Sequence, residues 1–255
     1  MSTASEINTA PQRDWRLNSL RFTFFSDTPL TVAGSALFDG FFGLSADAET
    51  HRKAEFLSEF TAEKGQVVYQ TIIAGPKVDF LASIGLSPEV VQSGFPVLPQ
   101  EGNFEARFSE AAKNLVAEER THITRVAVGA HFVHLVSDKE EGYQSIARLI
   151  PGIRLDPSCS DFQYRINRPR FVSCAGQEMH INRLSTWGCL SMQIGVGVSG
   201  GVSSHSTIGS AVSVVTDINS VPSQNLSKFA NDVRASVIEN IFKLSREIAQ
   251  NGDVS

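Results

Sequence analysis

The chain reads as an α+β protein, with a largely antiparallel sheet, flanking helices and a long C-terminal amphipathic helix. Three observations predict this class. Leu20-Arg21-Phe22-Thr23-Phe24 alternates with the period of two that marks a half-buried strand. Further strand-like runs follow one another through short turns, which suits antiparallel pairing rather than a doubly wound parallel sheet. Finally, Leu226, Phe229, Val233, Val237, Ile241, Leu244 and Ile248 trace a single apolar stripe along about six helical turns.

Leu20 to Phe25 opens the fold as a strand. In Ala54 to Lys64 the spacing of Phe56, Leu57 and Phe60 ahead of Gly65 suits a short helix, the preferred reading, although the strand-like Val67 to Ile72 that follows could instead pair with it. Val67 to Ile73 and Val78 to Ala82, joined through Gly75-Pro76, read as a hairpin. Leu86 to Asn103 holds three of the ten prolines and reads as connection. It divides a mobile tail (1–14) and an N-terminal α+β part (15–100) from a C-terminal α+β part (101–251), unless the two parts make one continuous domain. Phe104, Phe108, Ala111, Ala112 and Leu115 predict a helix over Glu105 to Glu119, followed by a strand over Thr121 to Val136. Asp138 to Leu149 reads as a helix whose first turn carries carboxylates, as the helix dipole favours. Asp161 to Ile166, Phe171 to His180, Leu184 to Val198 and Ser210 to Asp217 read as strands. No internal repeat is visible in the sequence.

At 255 residues the chain can bury a full core without disulfides or a structural metal. Its 22 basic and 27 acidic side chains give −5 at pH 7, which excludes the overall basic field of a general nucleic-acid coat protein while leaving a local basic surface open. Cys159, Cys174 and Cys189 form no C-x-x-C, so a disulfide framework and a zinc knuckle are both disfavoured. Residues 1–14 show no secretory pattern and no apolar run approaches the ~20 residues of a membrane span, so a cytoplasmic protein without membrane contact is expected.

Four patterns invite a functional reading. Gly195-Val196-Gly197-Val198-Ser199-Gly200 spells a dinucleotide fingerprint, but Gly201-Val202-Ser203-Ser204 leads into another β-rich run rather than the helix that would hold a pyrophosphate. Gly195, Gly197, Gly200 and Gly201 are therefore expected to form a mobile hairpin loop, with no cofactor implied. His131 and His134, three apart on a strand, point to opposite faces and cannot share a metal, so no metal site is assigned. His180 with Cys174, Cys189 and Glu178 would make a nucleophile pair only if neighbouring strands brought them together. Tyr164, Arg165, Arg168 and Arg170, with Arg183 downstream, interleave arginine with aromatic rings as phosphate contact and base stacking require. In an acidic chain the favoured reading of the same arginines is as solvated strand residues paired with the excess carboxylates.

A helix, then Ile123-Thr124-Arg125-Val126-Ala127-Val128-Gly129-Ala130-His131-Phe132, then a strand ending in Thr216-Asp217-Ile218-Asn219, then a final helix through Phe242, resembles a sporadically distributed family of uncharacterised bacterial proteins of about this length. The resemblance covers the second half of the chain. Asn219 stands where the family pattern carries a second acid, and the last helix has no His. The resemblance implies an accessory component of a bacterial defence or mobile-element system, and carries no catalytic residue. The expectation that follows is a non-enzymatic binding or assembly protein, acting through its sheet face and through self-association or partner binding of the 225–251 helix. The alternatives are an RNA or single-stranded nucleic-acid binding or processing protein on a ferredoxin-like scaffold, and a small-molecule enzyme with His180 or His131 as general base.

Overall fold

The computed structural model describes residues 13–28, 30, 32–85, 87, 90, 94–100, 103–117, 122–156, 158–197 and 203–253, with backbone alone at 194–197, 203–206 and 208. The first strand, β1 (Arg16–Ser26), forms because Leu20, Phe22 and Phe24 lie on one side of its pleat and are buried there, while Arg21 and Phe25 lie on the other. After it come α1 (Gly34–Phe42), β2 (Ala48–Arg52), a 3₁₀ turn, β3 (Leu57–Lys64), β4 (Val67–Ala74), β5 (Lys77–Ile84) and α2 (Phe104–Ala117). The second half runs β6 (Ile123–Val136), α3 (Lys139–Leu149), β7 (Gln163–Asn167), β8 (Arg170–Cys174), β9 (Gln177–Gly197), β10 (Ser203–Ser220), another 3₁₀ turn and α4 (Asn231–Asn251).

Among the described residues all ten strands join one antiparallel sheet in the order β2-β3-β4-β5-β1-β6-β10-β9-β7, with β8 also paired to β9. The expected α+β class with a largely antiparallel sheet is what the chain adopts. β7 and β8 hold a single register against β9, from Gln163 opposite Gly188 to Cys174 opposite Gln177. They are one edge strand interrupted at Pro169, which has no N–H to give the ladder. Ala175 and Gly176, both at positive φ, close this hairpin as a two-residue turn of type I′ requires. The expected single strand from Phe171 to His180 is thus two strands and a turn.

The halves share one topology: a central strand, a helix, a three-stranded meander and a closing helix, with β2 as an extra edge strand in the first half. β1 and β6 meet at the centre in antiparallel register, so the two halves are related by an approximate twofold axis between them. This repeat unit is not the β-α-β-β-α-β order of a ferredoxin-like scaffold, and that expectation is corrected.

The helices of the described residues all cover the same face. Phe41 of α1 stacks on Phe80 of β5 at 4.0 Å, Ser245 of α4 bonds Thr216 of β10 at 2.6 Å, and Arg246 of α4 lies over the Phe132 ring of β6. Asp138 caps α3 by accepting from the Glu141 N–H. The apolar stripe of α4 is buried through Val233, Val237, Ile238, Ile241 and Ile248, and Arg246 pairs with Glu105 of α2. The stripe read as a partner surface is therefore spent inside this chain's own core.

Ala54 to Lys64 is not a helix. Its second part is β3, because pairing with β4 satisfies the whole backbone of Leu57 to Lys64 and directs Phe60 into the core beside α1. Phe56 sits in the preceding turn with positive φ and is 82% exposed. No helix among the described residues is long and apolar enough to cross a membrane.

Candidate functional site

Parity along each strand decides what the helix-free face carries. Residues opposite one another across the sheet share a face, so the row Arg21, Gly129, Asp217, Leu184, Asn167 crosses β1, β6, β10, β9 and β7 on the side away from the helices. The row beside it contains Ser19, His131, Val215, Thr186 and Arg165. A cleft of about 450 Å³ runs over these rows from Leu81 of β5 to Arg165 of β7.

Gly129 makes the centre of this cleft possible. A β-carbon there would lie 3.1–3.3 Å from the Arg21 guanidinium, so glycine lets Arg21 lie flat over β6 and reach Asp217, 3.4 Å away on the next strand. Asp217 also accepts from the Asn219 side-chain amide at 3.1 Å, and Asn219 in turn accepts from Arg125 at 2.8 Å and from Asn182 at 3.2 Å. Arg125 also donates to the Ser220 carbonyl and covers the Phe25 ring. The result is a polar lattice across the central strands, in which Arg21 and Arg125 already hold acceptors of the protein. Arg21 Nε, however, is buried and has no hydrogen-bond partner among the described residues.

His131 bonds Asn18 Oδ1 at 2.9 Å through Nδ1 and Ser213 Oγ at 2.8 Å through Nε2. Burial lowers its pKa from the ordinary value of 6.5. With both ring nitrogens engaged, it is a satisfied sheet histidine.

The arginine-rich stretch is divided between the two faces. Arg165 lines the cleft and makes no ion pair among the described residues. Tyr164, one residue earlier, turns to the helix side, where it packs against the core. Arg168 lies in the break between β7 and β8, its backbone N–H on the Arg183 carbonyl at 3.0 Å, and Arg170 opens β8 opposite Ile181. Arg183 is on the helix side, 2% exposed, with Nη2 3.6 Å from Asp253 Oδ1. Asp253 accepts from Ser185 Oγ at 2.8 Å, and Ser185 accepts from Trp187 Nε1, so the second residue after α4 is tied to β9 beneath the helices.

The proposed nucleophile pair is not assembled. His180 is on the helix-free face, its ring stacked on Phe171 at 4.8 Å. Cys174 is on the opposite face beside Asn240, and Cys189 is on that face against Gly142. Burial raises the pKa of both thiols, which favours the unreactive protonated form. His131 and His134 also fall on opposite sides, His134 beside Trp15 at 5.7 Å. No group of three His, Cys, Asp or Glu able to hold a metal occurs among the described residues. Gly195 and Gly197 lie within β9, opposite His205 and Ser203, whereas Gly200 and Gly201 lie outside the described residues.

Sequence reasoning missed the apolar character of this face. Of the five exposed large apolar side chains among the described residues, four sit on it: Leu135, Phe171, Leu190 and Val215, at 39–64% exposure. Leu135 and Leu190 flank Ala211 in one row, and Val215 stands four residues along β10. Period-two alternation was the available signal, but it does not say which parity faces the helices. No protein-family model matches the chain and no curated protein sequence matches it, so nothing is carried to this face from another protein.

Proposed function

We propose that the chain is a non-enzymatic binding protein that assembles with a second copy through the helix-free face of its sheet. One observation carries this reading: the face without helices holds Leu135, Leu190, Val215 and Phe171, exposed around a polar cleft. Large apolar side chains left exposed on the one sheet face that no helix covers supply the apolar area that a second copy would bury, and the polar groups between them supply hydrogen bonds across it. The engagement of His131 by Asn18 and Ser213, and the separation of His180 from both cysteines, further support binding over catalysis. The test is mass by light scattering after size exclusion, on the wild type and on Leu190→Asp/Val215→Asp. The reading expects a wild-type mass above the 27.7 kDa monomer that falls to the monomer in the variant. A wild type that stays monomeric at high micromolar concentration would overturn it.

A second reading, single-stranded nucleic-acid binding on the same face, is favoured by Arg165 in the cleft and by Phe171, 64% exposed and stacked on His180. It expects nuclease-sensitive absorbance under the protein peak and an affinity that falls with salt. Arg165→Ala should reduce the salt slope by about 0.7, the loss of one phosphate contact to a single strand. Binding insensitive to salt rejects this reading.

A further inference from the structure

On the other side of the molecule, where α1 and α2 cross the ends of β3 and β4, a hollow of about 410 Å³ opens to solvent. That volume falls in the range of small-molecule sites. Its wall is aromatic: Phe41, Phe42, Tyr69, Phe104 and Phe108. Phe42 meets Tyr69 edge to face at 5.2 Å, and Phe104 is near parallel to Tyr69 at 6.3 Å. The exposed rim carries Lys64 and Arg107, and none of the lining residues is acidic. Neither cation makes an ion pair among the described residues. The Tyr69 hydroxyl has no hydrogen-bond partner there, and its pKa is raised by burial while the nearby Arg107 charge pulls it the other way. A second hollow of about 500 Å³ adjoins the first across Gly40, Phe41 and Arg107; its one acid, Glu110, is already paired with Lys113.

The chemistry of this hollow is one-sided. Flat apolar walls select a planar ring, since offset and edge-to-face contacts with several phenyl groups reward an aromatic over an alkyl ligand. Two cations at the mouth, with no carboxylate paired to them among the described residues, select an anionic substituent on that ring. We propose that the hollow between α1 and α2 is a binding site for a small aromatic anion, whose ring enters among Phe42, Tyr69 and Phe104 and whose charge is held by Lys64 and Arg107. The site is separate from the sheet face, so it stands or falls independently of the assembly reading.

Gly40 supplies a clean test. It lines both hollows, and a β-carbon there would meet nothing within 4 Å, so a larger side chain fills the cavity while replacing a helix-weakening glycine. The probes are naphthoate, its neutral counterpart naphthylmethanol and the non-aromatic cyclohexanecarboxylate, titrated by calorimetry into the full chain. Naphthoate is expected to bind at a single saturable site, about tenfold more tightly than naphthylmethanol, as for one charge-assisted contact. Cyclohexanecarboxylate should bind more weakly than naphthoate. Gly40→Leu should abolish binding of both aromatic probes with the thermal midpoint undiminished. Should that variant fail to fold, Lys64→Ala and Arg107→Ala change exposed side chains only; each should weaken naphthoate while leaving naphthylmethanol unchanged. Absence of naphthoate binding, equal affinity for the charged and neutral rings, or binding that survives a folded Gly40→Leu would each overturn the proposal.

Discussion

Replacing Asp253 by alanine tests the tie between the end of α4 and β9. The Arg183 and Asp253 side chains are 2% and 0% exposed, so the substitution leaves a buried guanidinium charge without its ion-pair partner, with only the more distant acidic charge of Glu247 acting on it. Breaking a buried pair in this way costs about 3–5 kcal/mol. Ser185 also loses the acceptor of its 2.8 Å hydrogen bond, a further ~1 kcal/mol. At about 2–4 °C per kcal/mol for a chain of this size, the combined loss of about 4–6 kcal/mol should lower the thermal midpoint by roughly 8–24 °C. Urea unfolding followed by circular dichroism provides the free energy. Asp253→Asn, which keeps an acceptor for Ser185 but not the charge, should fall between the two. Arg183→Met introduced into Asp253→Ala should restore much of the loss, because an apolar side chain suits the site better than an orphan charge. An Asp253→Ala variant within about 1 kcal/mol of wild type would refute the reasoning, since a buried unpaired charge cannot be that inexpensive.

Three other outcomes are expected. Phe41→Ala removes a ring that is 6% exposed and stacked on Phe80, and should destabilise by about 3–5 kcal/mol in the same urea assay. Gly40→Ala, in open space within α1, should stabilise by about 0.5–1 kcal/mol, raising the midpoint in a thermal melt. Because burial lowers the pKa of His131 below 6.5, the unfolded chain takes up a proton there before the folded chain does. The contribution of His131 is therefore complete above that pH and is lost as pH falls below it, with a slope of at most ~1.4 kcal/mol per pH unit. As pH falls below that value, the unfolding free energy should drop less steeply in His131→Gln than in wild type, and a slope unchanged by the substitution would count against the buried neutral imidazole.

The elements legible in the sequence are those whose local pattern and tertiary setting agree. The β4–β5 hairpin, β6, α2, α3 and α4 show their periods plainly, and Asp138 announces the start of α3. β3 was obscured because Phe56, Leu57 and Phe60 have helical spacing, and only pairing with β4 decides for a strand. α1 carries two glycines and three phenylalanines with hardly a polar face, so its amphipathic signature is weak. The duplicated topology leaves no sequence repeat, since any apolar residue of suitable volume serves the helix-covered face in either half. The site was less legible for a reason specific to sheets. Arg165 and Arg183 are near one another in sequence and on paired strands, yet one-residue parity sends Arg165 to the open cleft and Arg183 under the helices. Only the position of the helices tells the faces apart, and that depends on contacts over long separations, such as Ser245 with Thr216.

The central claim is that the chain works through the face its helices leave bare, and a comparison of exposed apolar positions tests it most directly. Leu190→Asp/Val215→Asp places charge on that face, whereas Phe56→Asp places it at an exposed turn before β3. With solution mass measured by light scattering on both variants and wild type, assembly should be lost in the first and retained in the second. Loss in Phe56→Asp with retention in the sheet-face variant would contradict the claim.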